Sequence, residues 1–278
     1  MQITETLREW TESAPYWEKY SSTIRTIFAP ITRALIEDAE ISEGQSVLDV
    51  AGGPGEPSLS IAEAVGPSGS VMCTDAVEEM VEAAKREALR RGITNIRFRQ
   101  CLADALPFAD NSFDCVVSRL GVMFFPDPVA ALREMLRVTK AGGALALAVW
   151  QESENNPFLH VITEVMSRHM ESSPTDPDAP GAFRFAKTGK LANILKSVGA
   201  IDVRERLLKF QIEAPISVDE FWELRTATSP TLREKLARLS QEQANQVAQE
   251  VKQTAGGFFS NGQMSFPARI IIVTGHRS

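Results

Sequence analysis

The sequence predicts an α/β protein with a seven-stranded, mostly parallel sheet, N-terminal helices, and a helical cap inserted between strands six and seven. Three observations predict it. From residue 46 on, short continuous apolar runs alternate with helix-period segments, the pattern of strands buried on both faces and their crossovers. The first run, 47–50, ends in the small residues Ala51-Gly52-Gly53-Pro54-Gly55, and a helical pattern begins directly after Glu56 and Pro57. After residue 213 the alternation stops, and three helix-start signals precede one last apolar run, 268–273. The chain therefore divides into an N-terminal helical lid (1–45), a sheet domain (46–213 and 263–278) and a cap on the substrate side (214–262).

Taken in order, residues 1–45 read as helices. Tyr16, Trp17 and Tyr20 cluster early, and Ile24, Ile27, Phe28, Ile31 and Leu35 follow at helical spacing. One reading is a helix packed on the domain; the other is a lid whose aromatics close over a site. The second strand, 70–74, ends at Asp75. A helix with Val77, Met80, Val81, Ala84 and Ala88 on one face then stops at Gly92. Strands follow over 95–101 and 113–118. Asp127-Pro128 starts a helix with an N-cap and a first-turn proline. The fifth strand is 144–150, a helix covers 157–170, and a loop rich in Pro, Asp and Ser spans 172–181. Another helix ends at Gly199 and the sixth strand covers 200–212. The cap signals are Ser217 with Glu220, Ser229-Pro230, and Ser240 with Gln243.

The composition is ordinary: 44% hydrophobic, 23% charged, and a net charge of −7 over 278 residues. No Lys/Arg-rich run stands out, which disfavours nucleic acid as a partner. No apolar run approaches the ~18 residues that cross a bilayer, so a cytoplasmic protein without membrane insertion is expected. Cys73, Cys101 and Cys115 are isolated in strand-like runs and read as buried, reduced thiols.

In an open parallel sheet, ligands bind beyond the carboxyl ends of the strands. The residues with chemistry to offer gather there: Asp49, the turn Gly52, Gly53 and Gly55, then Asp75, Asp104, Ser118 and Arg119. An acid ending strand two, about twenty residues past a glycine turn, suits a ribose diol. The dinucleotide pattern lacks its third glycine, Glu56 sits where a pyrophosphate would approach, and no Gly-Lys-Ser/Thr follows. A nucleoside with a cationic tail and no phosphate fits these features better than a dinucleotide does.

Several segments then resemble, in order, the motifs of class I S-adenosylmethionine-dependent methyltransferases. They are Asp49-Val50-Ala51-Gly52-Gly53-Pro54-Gly55, Asp75, Asp104-Ala105-Leu106-Pro107-Phe108, Phe113-Asp114-Cys115-Val116-Val117-Ser118 and Leu136-Arg137-Val138-Thr139-Lys140-Ala141-Gly142-Gly143. The nearest branch is the small-molecule group that includes the ubiquinone/menaquinone methyltransferases. The resemblance covers 45–150 well and 200–275 in outline. It departs at Ala51, where most of the superfamily has glycine, and at 119–125, which does not match the quinone enzymes.

The resemblance implies a Rossmann-like sheet with an antiparallel last strand, and S-adenosyl-L-methionine as cofactor. It places Gly53 and Gly55 under the methionine part, with Ala51 and Gly52 in the same turn and Asp49 orienting the turn and the ammonium. Asp75 would bind the ribose hydroxyls, Ala76 and Met80 would lie against the adenine, Asp104 and the Ala105 N–H would meet its polar edge, and the Ser118 carbonyl would meet the ammonium.

The expected reaction is in-line methyl transfer to an O, N, S or C atom of a small, aromatic or lipophilic molecule, by proximity and desolvation. Alternatives are quinone-pathway C-methylation, or a nucleotide-binding oxidoreductase or non-catalytic module on the same sheet. His160, Arg119 and Tyr20 are the candidate catalytic groups. Tyr16, Trp17, Tyr20, Arg119, Met123, Trp150, Asn156, Phe158, Phe221, Trp222 and Arg225 are the candidate pocket wall. Half of these serve equally well as packing between cap and sheet. No spaced set of His, Asp and Glu marks a metal site. The expected partner is a small molecule, and the chain is expected as a monomer or homodimer.

Overall fold

The computed structural model describes residues 2–170 and 176–278, with side chains from residue 6 on; the expected loop over 172–181 thus lies partly outside the described residues. Two helices open the chain, α1 (Gln2–Lys19) and α2 (Ser21–Asp38). The alternating part follows: β1 (Ser46–Val50), α3 (Ser58–Val65), β2 (Ser70–Asp75), α4 (Glu78–Arg91), β3 (Ile96–Gln100), β4 (Phe113–Arg119), α5 (Pro128–Val138) and β5 (Thr139–Trp150). Beyond it lie α6 (Pro157–His169), α7 (Lys190–Ser197), β6 (Ile201–Ala214), α8 (Val218–Thr228), α9 (Pro230–Ala237), α10 (Gln241–Ala255), the two-residue β7 (Phe259–Ser260) and β8 (Gln263–His276).

The strands form one sheet in the order β3-β2-β1-β4-β5-β8-β6, with β7 paired to β8. β1 to β5 run parallel to one another, and β8 runs antiparallel to both β5 and β6. The strand order reverses at β1, which lies between β2 and β4, so the ligand crevice of such a sheet opens beside it. The apolar runs are central strands: Val47, Leu48, Val116, Val117 and Leu145 to Val149 are all fully shielded.

Local chemistry sets the helix ends as the sequence foretold. Asp127 accepts from Ala130 N ahead of Pro128, and Gly92 closes α4 with φ +67°. Ser217 and Glu220 form a capping box, as do Ser240 and Gln243, and Ser229 accepts from Leu232 N. β7 is an addition to the expected count. Its Phe259 and Ser260 pair with Met264 and Gln263 and so open a hairpin with β8.

Helices α8, α9 and α10 lie between β6 and β7. They are fastened by an aromatic cluster in which Phe158, Phe221, Phe258 and Phe259 all pack against Phe266 of β8, at ring separations of 4.4–5.8 Å. This corrects two expected pocket residues: Phe158 and Phe221 are fully buried here because they hold α6 and α8 to the sheet.

Candidate functional site

The turn after β1 is fixed by short polar contacts. Asp49, buried at the end of the strand, accepts from Ser58 Oγ at 2.5 Å, which ties β1 to the first turn of α3. Its other oxygen, Oδ1, has no partner among the described residues. Burial pushes the Asp49 carboxyl up to about 7, against the opposing pull of the Ser58 bond and the Arg119 charge. A side chain at Gly52 would force its neighbours to shift: a Cβ there would stand 2.8 Å from both Asp49 Oδ2 and Cys73 Sγ. A Cβ on Gly53 would meet nothing within 4 Å, so that face of the turn is open.

Asp75 locks the turn from β2. Its Oδ2 accepts from Gly53 N and its Oδ1 from Val77 N, both at 3.0 Å. Burial raises its carboxyl, and the backbone donors of Val77, Gly53 and Ala76 pull it back down. Each oxygen retains a lone pair for a ligand.

A cavity opens over these turns. Ala51, Gly52, Gly53, Asp75, Ala76, Met80 and Asp104 line it, as does Arg119. Ala51 (φ +62°) and Leu120 (φ +61°) both hold left-handed backbone beside it, a conformation that costs a non-glycine residue about 1–2 kcal/mol. Their turns interlock, since a Cβ on Gly121 would lie 2.7 Å from Ala51 Cβ and 2.8 Å from Ser118 Oγ. Left-handed backbone at Ala51 is the conformation that glycine adopts at least cost.

Four expected cofactor residues stand behind the lining rather than in it. Asp49 and Gly55 support the turn, and a Cβ on Gly55 would run into Leu59 at 2.8 Å. Ser118 is fully buried below Gly121. The Ala105 N–H donates to Leu102 O at 3.3 Å, and Cys101 to Asp104 form that edge of the cavity instead. Cys101 is thus half-buried at the cavity rather than in the core, and burial pushes its thiol up to about 11. Glu56 lines the cavity, and its carboxylate is held by Arg91 and Ser60, both at 2.6 Å, so its charge is compensated from α4.

Arg119 is buried, with Nη1 on Thr32 Oγ1 and Nη2 on the Glu56 carbonyl, both at 2.9 Å, and its guanidinium lies 5.8 Å from the Phe28 ring. Burial lowers its pKa, while Glu56 and Asp49 oppose that. It braces α2 against the β1 turn and shows its remaining donors to the cavity.

The other wall comes from α1, α2 and the segment after β4. Trp10, Trp17, Ile24, Phe28 and Phe124 are its apolar members. Trp10 sits edge-on to both Trp17 (5.8 Å) and Phe124 (5.1 Å), and Trp17 Nε1 donates to Thr228 O at 3.0 Å. Met80 and Val77 of α4 join Ala14 of α1 in a small separate core, and Arg86 holds Glu18 through two bonds of 2.7 and 2.8 Å.

Several expected wall residues are elsewhere. Tyr16 faces Arg233 (5.0 Å) on the outside, and Tyr20, under Lys19, caps α2 without lining the cavity. Met123 and Trp150 are core. Asn156 is buried because it splices chain segments, donating to the carbonyls of Gln151 and Glu152 and accepting from Arg269 N. Trp222 packs on the core, and Arg225 lies on the Phe158 ring at 4.8 Å, its pKa pushed down to about 10 by burial. His160 is paired with Ser153 Oγ at 3.0 Å and does not reach the cavity lining. Trp10, Ser21, Arg25 and Phe124 line it without having been named as candidates, and Ile24 and Phe28, expected only as helix-spaced apolar residues, line it as well; the repeat 21, 24, 25, 28 is the one signal that could have placed the α2 members. Among the described residues, no group of three or more His, Cys, Asp or Glu is placed to hold a metal ion, and no helix is long and apolar enough to cross a membrane.

Sheet order, glycine turn and acid at the end of β2 define the Rossmann-like methyltransferase fold. Solved structures agree on the fold. A putative methyltransferase from Bacillus halodurans superposes with a TM-score of 0.59 at 19% identity, covering 88% of this chain and 98% of its own. A Haemonchus contortus phosphoethanolamine N-methyltransferase 2, bound to S-adenosylhomocysteine, gives 0.58 at 16% identity over 98% of this chain and 60% of its own. Residues 29–169 match the model of the ubiE/COQ5 methyltransferase family, and the chain belongs to that family. A ubiquinone/menaquinone biosynthesis C-methyltransferase of Hahella chejuensis is 40% identical over 136 residues, 49% of this chain and 54% of that protein. An uncharacterized Mycobacterium tuberculosis protein is 37% identical over 131 residues, 47% and 46% of the two chains. The chain thus spans about half the length of the curated relatives it matches.

Proposed function

We propose that this protein is an S-adenosylmethionine-dependent methyltransferase acting on a small, largely apolar molecule. One observation carries the reading: a single cavity joins the Asp75-locked glycine turn to an aromatic wall of Trp10, Trp17 and Phe124. The residues present fit the cofactor. Asp75 keeps free lone pairs for the ribose hydroxyls, and the open face of Gly53 admits a ligand against the main chain. The partnerless Oδ1 of buried Asp49 supplies negative charge beneath the turn, suited to an ammonium. Ala76 and Met80 offer an apolar bed for adenine, and Asp104, without a partner among the described residues, an acceptor for its amino group. When bound, the cofactor would supply an electrophilic methyl carbon.

The chain's own contribution is alignment and the exclusion of water. Arg119 holds the turn and α2 together, and the α1–α2 wall covers the apolar end of the cavity. His160 takes no part in this mechanism, since it points to Ser153. Calorimetric titration with S-adenosylhomocysteine tests the reading: micromolar binding is expected, and no heat at millimolar ligand would refute it. The quinone alternative rests on the Hahella relative. The acceptor wall from Trp10 to Phe28 precedes the matched residues 29–169, so the family match does not extend to it.

A further inference from the structure

Ser21, Ile24, Arg25 and Phe28 fall on one face of α2, and all four line the cavity. Three of them are unremarkable lining. Arg25 is a half-buried guanidinium with five donors and no hydrogen-bond, ion-pair or ring partner among the described residues. The other charges there are engaged, apart from Asp104. Glu56 is held by Arg91, Glu87 by Arg90, Asp127 by the α5 amide it caps, Asp75 by two amides, and Arg119 by Thr32 and the Glu56 carbonyl.

Asp104 and Arg25 line the same cavity but form no ion pair with each other, and they are carried by elements at different places along the sheet. Asp104 follows β3, whereas α2 packs on β4, β5, β6 and β8. With β2 and β1 lying between them, β3 and β4 are about 14 Å apart at ~4.8 Å per strand. The Asp104 end belongs with the nucleoside. Arg25 enters the lining from α2, in a cavity whose apolar surface includes Trp17 and Phe124. A cation half-removed from water in such a wall is unfavourable unless a counter-charge meets it, and the protein supplies none.

We propose that Arg25 reads a carboxylate on an otherwise apolar acceptor, so that the preferred substrates are aromatic or alkyl carboxylic acids rather than neutral molecules. The acceptor role rests on the proposed methyl-transfer reading; the carboxylate site does not. A guanidinium and a carboxylate pair bidentately, which orients the acceptor as well as holding it.

The test uses the full chain and paired probes: 3-phenylpropanoate, 4-phenylbutanoate, indole-3-acetate and decanoate, each against its methyl ester. Calorimetry is run with and without saturating S-adenosylhomocysteine, on the parent, Arg25→Met and Arg25→Lys. At least one acid should bind the parent about tenfold tighter than its ester, a gap that falls below about twofold in Arg25→Met and is partly kept in Arg25→Lys. The affinity for S-adenosylhomocysteine should change by less than about twofold in Arg25→Met. The proposal is overturned if no acid outbinds its ester, or if the gap survives in Arg25→Met. A roughly tenfold loss of S-adenosylhomocysteine affinity in that variant would also overturn it, because Arg25 would then hold the cofactor's own carboxylate. If S-adenosylhomocysteine does not bind the parent while an Arg25-dependent gap is present, the methyltransferase reading fails and the carboxylate site stands.

Discussion

The two ends of the cavity are built by opposite means. The nucleoside end is made of turns at the ends of β1 and β2, fixed by backbone amides and short side chains. Its key bonds, Gly53 to Asp75 and Ser58 to Asp49, join residues 22 and 9 positions apart. The acceptor end is made of long side chains brought together across the chain. Trp17 reaches Thr228, 211 positions away, and Trp10 rests on Phe124. The first end lies within the family match at 29–169, and the second draws on residues before it. A turn whose geometry depends on backbone cannot vary much and still bind one cofactor, whereas a wall of side chains can be rebuilt for each acceptor.

The sharpest way to break this contrast is at Asp75. Asp75→Ala removes the acceptor for two backbone donors and the proposed ribose contact, so S-adenosylhomocysteine affinity should fall about 100-fold or more, roughly 3 kcal/mol. Titration calorimetry on a variant shown to be folded decides it, and a loss under fivefold would remove the ribose assignment.

A second effect concerns stability against pH. Folded Asp49 titrates near 7 rather than 3.8, so between those values the folded chain holds a proton that the unfolded chain has released. Stability should be full below about pH 4 and decline by up to a few kcal/mol as pH rises to about 7. Asp75, also raised, contributes with the same sign. Urea midpoints from pH 4 to 8 should show the decline, and Asp49→Asn should flatten much of it. The charged form also suits an ammonium, so S-adenosylmethionine should bind more tightly at pH 8 than at pH 6.

Packing under the turn gives a smaller effect. Gly52→Ala forces a methyl to within 2.8 Å of Asp49 and Cys73, and should cost about 1–3 kcal/mol by chemical denaturation. At the other end, Trp10→Ala should leave S-adenosylhomocysteine affinity within about twofold while weakening apolar acids severalfold. A large loss of cofactor affinity there would mean the two ends are not separable. The smallest change is expected from Ala51→Gly. Relief of the left-handed strain at φ +62° is offset by the extra freedom of glycine in the unfolded chain, so stability should move by less than about 1 kcal/mol.

Legibility in the sequence follows the same division. The glycine turn, the acids after β1, β2 and β3, and the starts of α5, α8, α9 and α10 were readable because each depends on neighbours a few residues away. The acceptor wall was not. Bulky apolar residues carry the same signal whether they line a cavity or fill a core, so Phe158, Phe221, Met123 and Trp150 were expected at the wall and lie in the interior. Arg25 shared only its helical spacing with the other α2 lining residues; what marks it is the absence of a partner, and partners are set by tertiary packing. β7 was missed because two residues carry no periodicity. The compensation of Glu56 was not legible for a related reason: its partner, Arg91, lies 35 residues on.

The placing of Trp10 and Trp17 gives the molecule its own optical readout. The chain has four tryptophans, and of the other two Trp150 is sealed within the sheet and Trp222 lies away from the cavity lining. Emission from the first pair should therefore shift when the apolar end fills, over a nearly constant background. Unlabelled protein could then be screened for acceptors by fluorescence alone, before any methylated product has been identified.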